Sequence, residues 1–490
     1  MGNELKEEAN VTRTENGAKT YRSTLSGCLD FFASAGAMRK APEDEIISRF
    51  LRAFAEDRTL AMKILFYARD VRGGLGERRL FRTILRYLGN ARPEVVRKNL
   101  SLIPEYGRFD DLLSLLDTSL EEEMTGFLRK QLDDDCRALT EGKESVSLLA
   151  KWLPSINTSS REKVREARRL AKAFHMEEKE YRKTLASLRK KINILETRLC
   201  QKDYTFSYEE VPSRAMVKYR TAFARNDWQR FRKHMMAALH HETVIHAESL
   251  MPYEIIRPYT QSYYRDERPD GGDGVLEVLW QNQKDYARDQ KALVVVDGSA
   301  SMYRGGNPLP ATVAQSLALY FAERNKGPFG NQFITFSETP QLVKIKGYFL
   351  DDQLFDISTF DECANTNLKA VFWLILKTAK KYNLPPEELP EKLYIISDME
   401  FDSCINHGDV TNFTYAKKLF EEAGYRLPQV IFWNVSGRTH QFPVTRHETG
   451  TLLVSGCSPI IFRQVLSGKT DPCDFMMEMA GSKRYAPVTA

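Results

Sequence analysis

The 490-residue chain is 42% hydrophobic and 28% charged, with a formal net charge of +5. At about 150 residues per domain this is the make-up of a globular protein of two to four units. It excludes a helical membrane protein, because no run approaches the ~20 apolar residues of a span, and its near-balanced charge marks no polyanion partner for the chain as a whole.

In chain order, residues 1–25 form a polar segment that lacks the apolar core of a signal peptide, so a cytoplasmic location is expected. The seven cysteines (Cys28, Cys136, Cys200, Cys363, Cys404, Cys457, Cys473) contain no C-x-x-C pair. Their odd number fits reduced thiols better than a disulfide framework or a zinc knuckle. Residues 26–265 read as helix after helix. "EDEIISRFLRAFAEDRTLAMKILFYARD" places apolar residues at i, i+3, i+4 and i+7, and "ERRLFRTILRYLG", "SREKVREARRLAKAFHM" and "EYRKTLASLRKKINILETRLC" continue the pattern. A run of helical hairpins without sustained heptads predicts an α-solenoid of HEAT-like repeats. Residues 266–290, beginning "DERPDGGDG", read as a linker with a short helix near Val275–Trp280.

After Lys291 the pattern changes. "ALVVVD", "NQFITFS", "KLYIISD", "QVIFWNV" and "TLLVSG" are short apolar runs that alternate with helical stretches at Ala311–Arg324, Leu368–Tyr382, Tyr415–Ala423 and Ser458–Leu466. Strands buried on both faces and separated by helices predict a doubly wound parallel sheet over residues 291–490. The fold class expected is therefore an α-helical repeat domain followed by an α/β domain.

Functional groups of such a sheet gather beyond the carboxyl ends of its strands. "DGSAS" presents Asp297, Ser299 and Ser301 on alternate positions of a strand-to-loop turn. Thr366 in "CANTNLKA" and Asp398 in "IISDMEFD" supply two more oxygens from neighbouring loops. An oxygen-only donor set suits a hard cation such as Mg²⁺, with Mn²⁺ or Ca²⁺ as substitutes. The competing reading is that the two serines cap the next helix and Asp398 is a turn residue.

The pattern D-x-S-x-S, then T, then D resembles the metal-ion-dependent adhesion site of von Willebrand factor A domains. The resemblance implies that Ser299, Ser301 and Thr366 approach the ion directly while Asp297 and Asp398 act largely through waters. It further implies an open coordination position for an acidic group of a protein partner. "FYARDVRGGLGERRLF", "NLSLIPEYGRFDDLLSLL" and "VPSRAMVKYRTAFARND" resemble a family that fuses a helical half to a von Willebrand A half. That architecture is similar to the Ro ribonucleoproteins, whose helical module (TROVE) is a ring of HEAT-like repeats. What the resemblance implies is an RNA-binding scaffold, with Arg69 and Arg72 lying in the shared "RDVRGGLGER" stretch.

Charge distribution points the same way. Between Arg161 and Lys233 there are roughly twenty lysines and arginines to about ten acids. Arg161, Arg165, Arg168 and Arg169 share one helical face, and Arg182, Arg189, Lys190, Lys191, Lys218, Arg230, Arg232 and Lys233 extend the set, interleaved with Tyr181, Tyr204, Tyr208, Tyr219, Phe223, Trp228 and Phe231. Such residues can track phosphates and stack bases. The alternative is a solvated helix face over core aromatics, in which case the protein is an interaction adaptor that binds no nucleic acid. Enzyme signatures are lacking: "HHETVIH" has its second histidine one place too late for a zincin, and "RGGLGER" lacks the Lys-Ser/Thr of a P-loop. The sequence therefore predicts a non-enzymatic, monomeric RNA-binding scaffold with a Mg²⁺ site and no membrane attachment.

Overall fold

The computed structural model describes residues 8–263, 273–287, 289–304, 308–360, 366–402, 411–436, 441–446 and 448–490. Residues 266–272 and 288 of the expected linker, with Cys363 and Cys404, lie outside these residues; the five described cysteines are free thiols. Among the described residues no helix is long and apolar enough to cross a membrane.

The polar start carries structure that its composition does not suggest. Val11–Arg13 (β1) pairs antiparallel with Lys19–Tyr21 (β2). The helical half follows: α1 (Gly27–Ser34), α2 (Glu43–Glu56), α3 (Arg58–Arg69), α4 (Arg78–Ala91), α5 (Pro93–Asn99) and α6 (Glu121–Thr140). Then come α7 (Arg161–Ala173), α8 (Glu178–Lys191), α9 (Ser213–Asn226), α10 (Trp228–Leu239), α11 (Pro252–Tyr263) and α12 (Gly274–Gln281). The local reasons are visible in α2. Glu43, Asp44 and Glu45 occupy its first turn, where the helix dipole favours anions, and Ile46, Phe50, Ala53 and Phe54 form its buried face. Asp57 then caps α3 through the Leu60 amide at 2.9 Å.

The second half holds a six-stranded sheet: β3 (Ala292–Asp297), β4 (Gln332–Phe336), β5 (Leu342–Lys344), β6 (Lys392–Ser397), β7 (Gln429–Asn434) and β8 (Thr451–Ser455). Its order is β5-β4-β3-β6-β7-β8, and every pair is parallel except β4–β5. All five apolar runs form the expected strands; the antiparallel edge strand β5 is an addition. Helices α13 (Pro310–Arg324), α14 (Leu350–Ser358), α15 (Leu368–Lys381), α16 (Asn412–Glu422) and α17 (Pro472–Ala480) accompany the sheet. Helix α13 is buried all round from Pro310 to Ala322, since it packs against both β3 and α11. Alternate strand residues feed two clusters. Val294, Val296, Tyr394 and Trp433 join the core of the helical half, while Val295, Ile395 and Phe432 belong to a second core on the opposite face.

The "RDVRGGLGER" stretch is a structural hub. Arg69 is 1% exposed and bonds Asp111 through Nε at 2.8 Å. Gly74 packs so closely on the Tyr67 carbonyl that a Cβ there would stand 1.9 Å from its oxygen, and Gly76 has φ +72°. Asp70, fully buried, accepts from the Arg72 amide at 2.9 Å, from the Arg484 guanidinium and from the Tyr485 hydroxyl at 2.9 Å. Burial pushes the Asp70 carboxyl up, but these hydrogen bonds prevail and hold it below the ordinary carboxylate range. Asp70 thereby ties the tail that follows α17 to the helical half, where Tyr485 also stacks on Tyr106 at 5.6 Å. Asp70→Ala is expected to cost about 3 kcal/mol, because it orphans a buried hydroxyl and an arginine. A lower urea midpoint and native-state protease cutting near Arg484 would register the loss.

Candidate metal centre and basic cavity

The chain leaves β3 toward β4 and β5 on one side of the sheet and later returns as β6 on the other. Strands β3 and β6 therefore flank a topological switch point, where the loops at their carboxyl ends splay apart and open a crevice. Asp297 ends β3 and Asp398 follows β6, and each is 1% exposed.

The Asp297 carboxylate accepts from the Ser299 amide at 2.9 Å and from the Ser397 hydroxyl. The hydroxyl oxygens of Ser299 and Ser301 stand 2.9 Å apart. Buried Thr366 donates its hydroxyl to the Glu400 carbonyl at 2.8 Å, and the Glu400 amide donates to Asp398 Oδ1 at 3.2 Å. Burial first, and the Asp398 charge second, push the Asp297 carboxyl up to about 7. The five expected donors are thus linked: three within one turn, Asp398 through its field on Asp297, and Thr366 through Glu400.

Ser299 stands at the N-cap position of the short 3-10 helix Ala300–Tyr303, and Asp398 accepts the Glu400 amide as a turn aspartate does. Ser299 makes no side-chain cap bond, and α13 starts from Leu309 without one. Two buried carboxylates repelling each other near the Ser299–Ser301 hydroxyl pair suit a divalent hard cation, which removes the repulsion and wants oxygen alone. Among the described residues no cluster of three or more His, Cys, Asp and Glu side chains could hold a metal. Hydroxyl donors are therefore essential to any site here. Met399, between Asp398 and Glu400, holds φ +70°, a left-handed conformation costing of order 1 kcal/mol for a residue with a side chain.

The expected RNA contacts scatter. Arg161, Arg165 and Arg168 line an exposed concavity of about 480 Å³ with Thr158 and Ser159. Arg182, Lys190, Lys191, Arg232 and Lys233 are exposed. Four others need correction, because their guanidinium groups are already engaged within the fold. Arg69 is buried against Asp111. Arg169 pairs with Asp117 at 2.5 Å and with Glu121. Arg189 bonds the Ala150 and Leu153 carbonyls at 2.8 and 2.7 Å, and Arg230 holds the Tyr204 and Phe206 carbonyls. Of the aromatics, Tyr181, Tyr208, Phe223 and Phe231 are core, while Trp228 is 55% exposed.

Positive charge converges elsewhere. A cavity of about 1260 Å³ in the helical half is walled by ten arginines and lysines against four glutamates. Of the expected residues Arg69, Arg72 and Lys218 line it, although Asp111 holds Arg69 and Arg72 donates to the Glu105 carbonyl at 2.7 Å. Arg78, Arg79, Arg108, Lys151, Arg198 and Arg214 join them from five separate stretches of the chain. Two of the glutamates are spent on ion pairs, Glu77 with Arg39 and Glu254 with Arg214. Burial first, then the neighbouring Arg214 and Arg69 charges, lower the Arg108 pKa. Arg108 also lies 4.4 Å over the Trp152 ring, which lines the same wall. Pro308, beyond the Ser299–Ser301 turn, reaches the cavity too.

Residues 14–129 and 158–293 match the sequence model of a domain of unknown function (DUF2828), and residues 291–483 match another (DUF7788). A relative in Acanthamoeba polyphaga mimivirus, uncharacterized protein L728, is 27% identical over 501 residues, covering 94% of this chain and 85% of its own length. Among solved structures, the Ro (RSR) protein of Deinococcus radiodurans aligns over 94% of this chain and 99% of its own, with 14% identity and a TM-score of 0.42.

Proposed function

We propose, from the premise that this chain belongs to the DUF2828 family, that it is an RNA-binding scaffold. In this reading a HEAT-like helical domain takes single-stranded RNA into its basic cavity. A von Willebrand A domain holds Mg²⁺ at the β3–β6 crevice and presents it to an acidic group of a protein partner. Binding rather than turnover is the activity.

The observation that carries the reading is the cavity's uncompensated charge. Arg39, Arg69, Arg198 and Arg214 are paired to Glu77, Asp111, Asp203 and Glu254. The wall keeps Arg72, Arg78, Arg79, Arg108, Lys151 and Lys218 against Glu196 and Glu210, four more cations than anions, and Arg108 is lowered in pKa partly by its own like-charged neighbours. A polyanion relieves that repulsion and releases its counterions. The volume exceeds the ~300–1,000 Å³ of small-molecule pockets, which favours an oligomer. Trp152 adds an aromatic ring on which an unstacked base can lie, alongside the phosphate-binding guanidinium groups. The exposed arginines of α7 would track the same strand outside.

At the crevice, Asp297, Ser299, Ser301, Thr366 and Asp398 would hold the cation, which supplies a fixed positive charge for a partner carboxylate. Ser397 and the Ser299 amide orient Asp297 by hydrogen bonds, and the Glu400 carbonyl orients the Thr366 hydroxyl.

Fluorescence anisotropy with a labelled single-stranded RNA tests the main claim. About four phosphate contacts, at ~0.7 each in log–log slope, give roughly fifty-fold weaker binding at 200 mM salt than at 50 mM. Absence of binding at the lower salt would reject the reading. A raised 260/280 nm absorbance ratio that nuclease lowers would support it in the purified protein.

A further inference from the structure

We infer that the N-terminal hairpin β1–β2 is a positioning device for the cation site, and that cation affinity depends on its tip. The inference rests on the metal-site reading above and adds residues from the opposite end of the chain.

The tip, Thr14–Ala18, lies against the loop after β6. Thr14 donates its hydroxyl to the Phe401 carbonyl at 2.6 Å and accepts the Ala18 amide at 2.9 Å. The Glu15 amide donates to the buried Glu400 carboxylate at 2.7 Å, Asn16 donates through Nδ2 to the Glu400 carbonyl at 2.9 Å, and Gly17 pairs with Asp402. That Glu400 carbonyl is the acceptor of the Thr366 hydroxyl. One backbone oxygen thus joins a hairpin side chain to an expected cation ligand, and the Glu400 amide reaches the carboxylate of a second, Asp398.

The chemistry follows from the donor inventory of a hydroxyl. Threonine has one proton and two lone pairs. With its proton committed to Glu400, Thr366 keeps its lone pairs for a cation; if the carbonyl moves, the proton is free to point at the ion instead. Left-handed Met399 makes the same loop dependent on support, because such a backbone persists only when its surroundings over-determine it. The hairpin provides that support through four contacts on residues 400–402.

The test is Mn²⁺ titration of the full chain by calorimetry. Thr14→Val with Asn16→Ala should weaken binding about tenfold, the lower end of what loss of outer supports costs a metal site. Asn16 is exposed, so Asn16→Ala alone keeps the fold and should lose about threefold. Thr14→Ser retains the hydroxyl and should restore wild-type affinity. Gln441→Ala serves as control: it removes one bond from the hairpin's other side, the one from the Gln441 amide to the Arg13 carbonyl, without touching the loop, and it should bind Mn²⁺ like wild type. Equal affinity for wild type and the double variant overturns the inference, and so does an equal loss in Gln441→Ala. Wild type that takes up no Mn²⁺ overturns the metal reading itself.

Discussion

Asp297→Asn is expected to exchange rank with wild type when Mg²⁺ is added. Without the cation at pH 8, the asparagine variant should melt higher, since it keeps the shape of the site but removes one of two buried carboxylates. With Mg²⁺ at ~100 times its Kd, wild type gains ~2.7 kcal/mol, a few degrees in Tm, and the variant gains nothing. The pH dependence has a definite sign. Asp297 titrates near 7 in the fold, raised from 3.8 by burial and by Asp398. Its contribution to stability without metal is therefore complete below the unfolded value and lost as pH rises through about 7. The Mg²⁺-induced rise in Tm should accordingly grow from pH 5.5 to pH 8. A Tm shift that is flat across this range, or equal in the Asp297→Asn variant, would sink the cation reading.

Charge reversal inside the cavity should produce the other large effect. Arg78→Glu with Lys151→Glu places two acids on the wall without breaking any ion pair described above. If two phosphate contacts disappear, the log–log salt slope falls by about 1.4 and affinity for single-stranded RNA at low salt drops at least roughly tenfold. Arg182→Glu, on the outside of α8, should change binding far less. A larger loss from Arg182→Glu than from the cavity pair would move the interface to the outer helices and reject the cavity as the binding site.

The site was legible to different depths. Asp297 and Asp398 stand out in sequence because each interrupts a continuous apolar run, and a buried strand tolerates a carboxylate only at its end. The hairpin left a signal too. Asn16-Gly17 lies between "VTRT" and "AKTY", a turn dipeptide flanked by short β-prone runs, but the surrounding polarity masks it. The cavity left only fragments, Arg72 and Lys218. Arg108, Lys151 and Arg214 are single basic residues on separate elements, so counting charge along the chain favours the Arg161–Lys233 cluster instead. That count also misjudges Arg189 and Arg230, because a guanidinium that holds two backbone carbonyls looks, in sequence, the same as one that faces solvent.

What the chain determines by itself is periodicity and its interruptions: helices with a 3.6-residue apolar repeat, five strands buried on both faces, and acids at the ends of two of them. These follow from local geometry and from the cost of burying polar groups, which act over a few residues. Tertiary structure alone decides that β3 and β6 are neighbours at a switch point, that Thr14 and Asn16 meet a loop nearly four hundred residues away, and that ten cationic side chains share one space. Electrostatic forces and hydrogen bonds act through distance in space, and sequence separation carries no record of it.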